Sequence, residues 1–130
     1  AEDYWRFAQM LLNGGELDGV RLLKPETVEL MRTDVLADGV TVDLYGPSQT
    51  GVGFGMDFAI IMDPKAAGTP QGLNSFYWGG AFGTWFWIDP TNDLVFVGMI
   101  QNLRGSVPGA GTPALREISP RLVYEALATD

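Results

Sequence analysis

Apolar residues recur at helical spacing at the start of the chain. Tyr4, Ala8 and Leu11 fall on one face of residues 2–13, which predicts an amphipathic helix. The Asp-Gly pair at positions 18 and 19 suits a tight hairpin turn. A proline at position 25, with an acid after it, predicts a second helix that ends near residue 33. Residues 34–50 carry short apolar clusters between Asp, Gly and Pro, which indicates an irregular segment.

From residue 51 onward the pattern becomes that of a sheet. Residues 51–58 alternate and residues 59–62 continue as an apolar run, which together predict one strand. Gly53 and Gly55 inside it indicate a bend or a close backbone approach. The strand-like residues 75–89, interrupted by Gly-Gly-Ala, follow as a second strand. Residues 94–101 are apolar on both faces, which predicts a third strand at the centre of the sheet.

A closing helix is predicted over residues 114–128, although Pro120 favours a start near that residue. The positions expected to face inward are Leu115, Ile118, Leu122 and Val123.

The resulting order is helix, helix, three antiparallel strands, helix, and the predicted fold class is α+β. Residues 1–130 are expected to form one segment, in which 1–50 are the helical and irregular part and 51–130 the sheet with the C-terminal helix. Three strands and one covering helix leave a sheet edge open and one face partly covered. As a free-standing domain the arrangement looks incomplete.

Composition excludes several classes of function. The net charge of −8, without a basic patch, argues against nucleic-acid binding. The longest apolar run, residues 94–100, is too short to span a bilayer. The chain has no histidine, so no mechanism that uses an imidazole base or ligand can be completed within it. It has no cysteine and therefore no disulfide framework.

The acidic and glycine-rich motifs carry no evident chemistry. The Gly-x-Gly-x-Gly at residues 51–55 lies inside a predicted strand and no helix follows it, unlike a dinucleotide-binding loop. Of the carboxylates near the sheet, most sit at strand ends or turns, where Asp is favoured for its local hydrogen bonds; they are Asp57, Asp63, Asp89 and Asp93. Their spacing supports neither an acid–base pair nor a metal site, so we expect no metal and no cofactor.

Residues 76–87 are more informative. Aromatic residues dominate both ends of this segment, and Gly-Gly-Ala interrupts them at positions 79–81. Small residues there permit either a tight crossing of two chain segments or a ligand lying against the strand and bonded to its backbone amides. A backbone amide aimed at developing negative charge is one half of an oxyanion hole. The residues by themselves leave both interpretations open.

The segment Trp-Gly-Gly-Ala-Phe-Gly-Thr at 78–84, followed by Phe-Trp-Ile-Asp-Pro at 86–90, resembles the third-motif strand of class C β-lactamase-related serine hydrolases. That family includes β-lactamases, penicillin-binding proteins, D-amino-acid peptidases and esterases. Residues 4–15, 23–28 and 51–55 resemble the family's preceding elements in the same order. The resemblance implies a partial β-lactamase/transpeptidase-like fold.

The resemblance also implies roles for individual residues. Ala81 matches the position whose backbone N–H forms half of the oxyanion hole. The residues implied in substrate binding are Trp78, Gly79, Gly80, Phe82, Asn102 and Arg104. The family's third motif is usually Lys-Thr-Gly or His-Thr-Gly, and the Trp-Gly-Gly found here is typical of esterase-like members. The resemblance therefore implies that residues 1–130 are the C-terminal segment of a serine hydrolase that acts on small-molecule esters, amides or β-lactams through an acyl-enzyme, and the Trp-Gly-Gly favours esters.

Two other family motifs are absent from these 130 residues. The nucleophile of the family lies in Ser-x-x-Lys, but Lys24 and Lys65 are preceded at that spacing by Arg21 and Met62. No tyrosine begins a Tyr-x-Asn motif either. We expect these groups to come from an N-terminal part of the same protein, so that this chain alone is inactive. The alternatives are a non-catalytic module that binds a ligand or partner, and a sheet that self-associates as a homodimer.

Overall fold

A computed structural model describes residues 1–42, 49–101 and 114–128 of the chain. Its helices and strands, in chain order, are α1 (Glu2–Leu12), β1 (Glu16–Leu17), β2 (Val20–Arg21), α2 (Pro25–Met31), β3 (Val52–Phe54), β4 (Ala59–Ile61), α3 (Pro64–Ala67), β5 (Phe76–Gly79), β6 (Trp85–Asp89), β7 (Leu94–Gly98) and α4 (Leu115–Leu127). Strands β1 and β2 pair as the predicted hairpin, with Asp18 and Gly19 at its turn.

The main sheet of the described residues is antiparallel, with the strand order β3-β4-β5-β6-β7. The α+β class is confirmed. Three strands were expected in the sheet, but the described residues form five. Residues 51–62 form a hairpin, because Asp57 takes a left-handed φ of 68° and the N–H of Gly55 bonds the carbonyl of Phe58 at 2.9 Å. Residues 75–89 form a second hairpin. Apolar alternation continues through the first reversal, whereas the second falls at the Gly-Gly-Ala interruption, which resembled a break within one strand.

Gly53 and Gly55 lie where other parts of the chain approach the backbone, as predicted. A Cβ on Gly53 would be 2.5 Å from the carboxyl carbon of Asp34, and one on Gly55 would be 2.3 Å from the carbonyl oxygen of Met31. The segment after α2 therefore crosses directly over β3. Its position depends on the absence of side chains at these two residues.

Strand β7 lies at the edge of the described sheet, not at its centre as its apolar composition predicted. Both of its faces are apolar because each is covered. Helix α1 contacts β7 on one face, and on the other the ring of Phe96 stacks on Trp87 with centroids 4.1 Å apart. An edge strand covered on both faces has the same hydrophobic pattern as a central one.

The core on the first face of the sheet is formed by α1 and α2. Ala8, Met10 and Leu11 of α1 are buried against it, together with Val28 of α2. The ring of Tyr4 is part of the same contact, 5.1 Å from that of Phe86 in β6. Burying such side chains stabilises the fold by about 1.5–3 kcal/mol each.

Helix α4 lies against the other face, and its contacts differ from the prediction. Leu115 and Leu122 are exposed rather than inward, because polar contacts hold this helix. The indole N–H of Trp85 donates to the Ser119 hydroxyl at 3.1 Å. The helix also starts at Leu115, before Pro120. Pro120 has no backbone N–H to donate to the carbonyl of Arg116. The Ser119 hydroxyl donates to that carbonyl instead, at 3.4 Å.

The carboxylate of Asp89, at the end of β6, has no exposed surface. It accepts hydrogen bonds from the N–H groups of Gly72 (2.8 Å), Thr91 (2.9 Å) and Asn92 (3.1 Å), and from the side-chain amide of Asn92 (2.7 Å). The hydroxyl of Tyr124 in α4 donates the fifth bond. Burial acts to raise the pKa of Asp89, but the hydrogen bonds outweigh it and hold the pKa below its ordinary value. Burial, followed by the bond to Asp89, raises the pKa of Tyr124.

We expect Asp89→Asn to destabilise the protein at neutral pH by about 3 kcal/mol, because buried donors lose a charged acceptor. A carboxyl group whose pKa is lowered by folding stabilises the folded state at pH values above its ordinary, unfolded-state pKa. This stabilisation is lost as the pH falls through the folded-state pKa. Urea unfolding from pH 7 to pH 2 should therefore show a smaller acid-induced loss in the variant. Asp93→Asn is the control, since Asp93 is exposed in the same turn. Equal acid sensitivity of the wild type and Asp89→Asn would contradict the assignment.

Candidate active-site turn

The residues between β5 and β6 form a tight turn. Gly79 and Trp85 are the last residue pair of the two strands. Beyond them the N–H of Gly80 donates to the carbonyl of Thr84 at 2.8 Å, and the N–H of Gly83 donates to the carbonyl of Gly80 at 3.2 Å. Residues 80–83 are thus a β-turn with one intervening residue before the next strand. We call residues 80–84 the glycine turn.

Ala81 and Phe82 occupy the two central positions of the glycine turn. Neither has a positive φ, whereas Gly83 after them has φ 94°, the pattern of a type I turn followed by a bulge. Both residues are exposed, Phe82 by 62%. Within the described part of the chain, the N–H of Ala81 meets no acceptor. The turn therefore presents an unused backbone donor to its surroundings.

Trp78 precedes the turn and is half-buried. Its ring meets that of Phe54 edge-on, with centroids 5.2 Å apart and an angle of 82° between the planes. It contacts side chains of both hydrophobic clusters of the protein. A ring held in this way stays in one orientation next to the glycine turn.

Arg116 of α4 lies over the base of the glycine turn. Its Nη2 donates to the carbonyl oxygens of Gly80 at 2.8 Å and Thr84 at 2.9 Å. A Cβ on Gly79 would lie 2.6 Å from the guanidinium carbon, so only glycine leaves room for this contact. Partial burial lowers the pKa of Arg116 from its ordinary value, but an arginine remains protonated at neutral pH.

Sequence reasoning did not single out Arg116. The available signal was weak: a cation in the first turn of a helix opposes the helix dipole, which suggests a specific partner. The contact explains one residue of the Gly-Gly-Ala interruption. Gly79 is small because another chain segment crosses it, whereas Ala81 is exposed. The crossing interpretation therefore holds for Gly79, and ligand binding at Ala81 stays a prediction.

A cavity of about 360 Å³ lies between the glycine turn and the end of β7. It is lined by Phe82, Thr84, Met99, Ile100 and Gln101. Three of these side chains are apolar, and a hydroxyl and an amide are the polar groups among them. The cavity is largely open, and its lining is mainly apolar.

The predicted site residues Trp78, Gly79, Gly80, Ala81 and Phe82 lie together at the end of β5 and in the glycine turn. Asn102 and Arg104 lie outside the described residues. Across residues 1–42, 49–101 and 114–128, no group of three or more acidic, histidine or cysteine side chains could hold a metal ion. In the same residues no helix is long and apolar enough to cross a membrane.

The antiparallel sheet, the helices on both its faces and the glycine-rich turn after an inner strand make this an α+β protein with a partial β-lactamase-like fold. A family model described as Beta-lactamase matches residues 1–118. The chain belongs to the β-lactamase family, which confirms the resemblance seen in the sequence.

The relatives agree with this assignment. Protein Rv1367c of Mycobacterium tuberculosis is 40% identical over 143 residues, which cover 98% of this chain and 36% of that protein. Esterase EstB of Burkholderia gladioli is 35% identical over 79 residues, which cover 61% of this chain and 19% of EstB. The solved structure of EstCE1, a hydrolase with promiscuous acyltransferase activity, superposes with a TM-score of 0.67 and 28% identity, covering 84% of this chain and 26% of that one. The chain thus spans about a third of the length of the curated relative Rv1367c.

We expect Gly79→Ala to destabilise the protein by about 1 kcal/mol, because the new Cβ displaces the guanidinium and weakens two hydrogen bonds. In an Arg116→Ala background the same substitution should cost less than about 0.5 kcal/mol. Urea unfolding of the two single variants and the double variant measures this coupling. Additive effects would show that Gly79 is not constrained by Arg116.

Proposed function

We propose that this chain is the C-terminal part of a β-lactamase-family serine hydrolase that cleaves esters through an acyl-enzyme. The observation that carries the proposal is the N–H of Ala81, which has no acceptor among the described residues and is exposed in the glycine turn directly after Trp-Gly-Gly. In this proposal the N–H is one of the two donors of the oxyanion hole. The related esterase EstB and hydrolase EstCE1 support an activity of this kind.

The proposed chemistry begins with a serine hydroxyl that adds to the ester carbonyl carbon. The carbonyl π electrons move to the oxygen, which becomes the oxyanion that the N–H of Ala81 stabilises. The carbon–oxygen bond to the alcohol then breaks, the alcohol leaves with a proton, and water later hydrolyses the acyl-serine. A single preorganised donor of this type contributes about 10²- to 10³-fold to the rate.

The nucleophile is proposed to lie outside this chain. The 130 residues contain no Ser-x-x-Lys and no Tyr-x-Asn, and the chain spans only part of its relatives. We therefore assign the serine, the lysine and the tyrosine to a preceding part of the same polypeptide. The partner of this chain is then the rest of its own protein.

An ester is preferred over a β-lactam as the proposed substrate. Trp78 stands where the family's third motif usually has a lysine or histidine, so the cation that would hold a substrate carboxylate is absent at that position. The cavity next to the glycine turn is lined mainly by the apolar side chains of Phe82, Met99 and Ile100. An uncharged acyl group fits this lining. Trp78, Gly79, Gly80 and Phe82, with Asn102 and Arg104, are the proposed substrate contacts.

The direct test is to express the open reading frame that contains this chain and, separately, the 130 residues alone. The longer protein should hydrolyse p-nitrophenyl butyrate with a burst of p-nitrophenol, and a serine-directed phosphonate should abolish this. The 130-residue chain should not react. Hydrolysis by the short chain that the same phosphonate stops would overturn the proposal.

Ala81→Pro is expected to lower kcat of the longer protein by about 10²- to 10³-fold, because it removes the N–H while proline suits the second position of a type I turn. Ala81→Ser keeps the N–H and is the matched control, with an expected kcat within about threefold of the wild type. Steady-state hydrolysis of p-nitrophenyl butyrate measures both. Equal activity of the proline and serine variants would remove Ala81 from the oxyanion hole.

Self-association through the free edge of β7 is the second candidate function. In the described sheet β7 has a neighbour on one side only, and its residues 94–97 are half-buried. Such an edge can pair with a second copy. Sedimentation of the 130-residue chain separates the two proposals: a symmetric dimer favours self-association, and a monomer favours an edge that the rest of the protein covers.

A further inference from the structure

We propose that Arg116 is the positioning residue of the oxyanion donor: its guanidinium holds the Gly80–Ala81 peptide group so that the N–H of Ala81 is fixed and polarised. This inference rests on the proposed function and extends it to a residue in another element. The carbonyl that Arg116 binds and the N–H of Ala81 belong to the same peptide unit. In a trans peptide these two groups point in opposite directions. The bond from Arg116 therefore directs the N–H of Ala81 away from α4.

The charge of Arg116 acts on the same unit. A cationic donor on the carbonyl oxygen of Gly80, at 2.8 Å, draws electron density towards that oxygen and makes the N–H across the peptide a stronger donor. The N–H of Gly83 bonds the same oxygen. The Arg116 cation thus lies at one end of a short series of polarised groups, and the N–H of Ala81 lies at the other.

The second bond of Arg116 closes the turn. The carbonyl of Thr84 accepts from the N–H of Gly80 at 2.8 Å and from Nη2 of Arg116 at 2.9 Å. One nitrogen therefore joins both ends of the glycine turn. The bond to Thr84 fixes the position of Nη2, and the bond to Gly80 then restrains the Gly80–Ala81 peptide.

Arg116 itself is held by the packing of α4. Ser119, three residues further along the helix, accepts from the indole of Trp85 at 3.1 Å, and Tyr124 donates to the buried Asp89. Gly79 supplies the space for the guanidinium. The side chain therefore reaches the glycine turn from a fixed helix across a residue that has no side chain.

Arg121 provides a matched control on the same helix. It is exposed and forms an ion pair with Glu125 one turn later, at 2.9 Å. Its removal takes the same charge from α4 without touching the glycine turn. Surface pairs of this kind contribute little to stability.

The experiment compares Arg116→Ala, Arg116→Lys and Arg121→Ala in the longer protein with p-nitrophenyl butyrate as substrate. We expect Arg116→Ala to lower kcat about 10- to 100-fold with KM within about threefold, since the lost interaction acts on the transition state. Arg116→Lys, which keeps the charge but has a shorter side chain without the planar guanidinium, should recover part of this loss. Millimolar guanidinium should restore activity to Arg116→Ala only, and Arg121→Ala should match the wild type.

Two further readouts separate positioning from stability. Phenylboronic acid forms a tetrahedral serine adduct, and its inhibition constant should rise in Arg116→Ala in proportion to the loss of kcat/KM. Hydrogen exchange of a peptide spanning residues 79–84 should become faster in this variant while that of residues 86–97 is unchanged.

The outcomes are distinct. A longer wild-type protein that hydrolyses none of these esters refutes the proposed function. An active wild type whose Arg116→Ala variant keeps kcat and boronate affinity refutes the positioning role, whatever its exchange rate. A loss of activity without rescue by guanidinium or lysine, with faster exchange throughout the sheet, reduces Arg116 to a stabilising contact and also overturns the inference.

Discussion

The buried carboxylate of Asp89 is the contact on which the arrangement of this protein depends. A carboxylate without exposed surface is costly unless its oxygens are fully bonded, and here five donors satisfy it. Those donors come from three places: the loop before β5, the turn after β6 and Tyr124 of α4. Desolvation opposes the ionised form, and the hydrogen bonds outweigh it. Asp89, the last residue of β6, therefore also attaches helix α4 to the sheet.

This attachment has consequences at the other end of α4. The helix runs along the second face of the sheet from Tyr124, near Asp89, to Arg116, over the glycine turn. Helix α4 is held mainly by polar contacts, and its Leu115 and Leu122 are exposed. Its orientation therefore depends on individual hydrogen bonds rather than on a wide apolar interface. Precise placement of one guanidinium requires this kind of anchoring. The larger hydrophobic cluster and the contacts that orient the turn thus lie on opposite faces of one sheet.

Local chemistry made much of the fold predictable. Helices α1 and α2 and the hairpin at Asp18 follow from spacing, proline and turn residues that act within a few positions. The reversal at Asp57 was missed because apolar alternation runs through it unchanged. The edge position of β7 was missed because burial on two faces is produced equally by neighbouring strands and by covering side chains. The family was recognised from residues 78–90, where aromatic and small residues alternate in an unusual order.

By itself the sequence determined the α+β class, the helices α1 and α2, the first hairpin and the family, since each depends on neighbouring residues or on a contiguous motif. Only the tertiary structure decided why residue 79 is glycine, what Asp89 binds and which cation meets the turn. These facts join residues 17 to 36 positions apart. Such pairs leave no periodic trace along the chain. They arise from the sheet register and from the docking of α4, which brings Arg116 across Gly79 to the peptide that carries the N–H of Ala81.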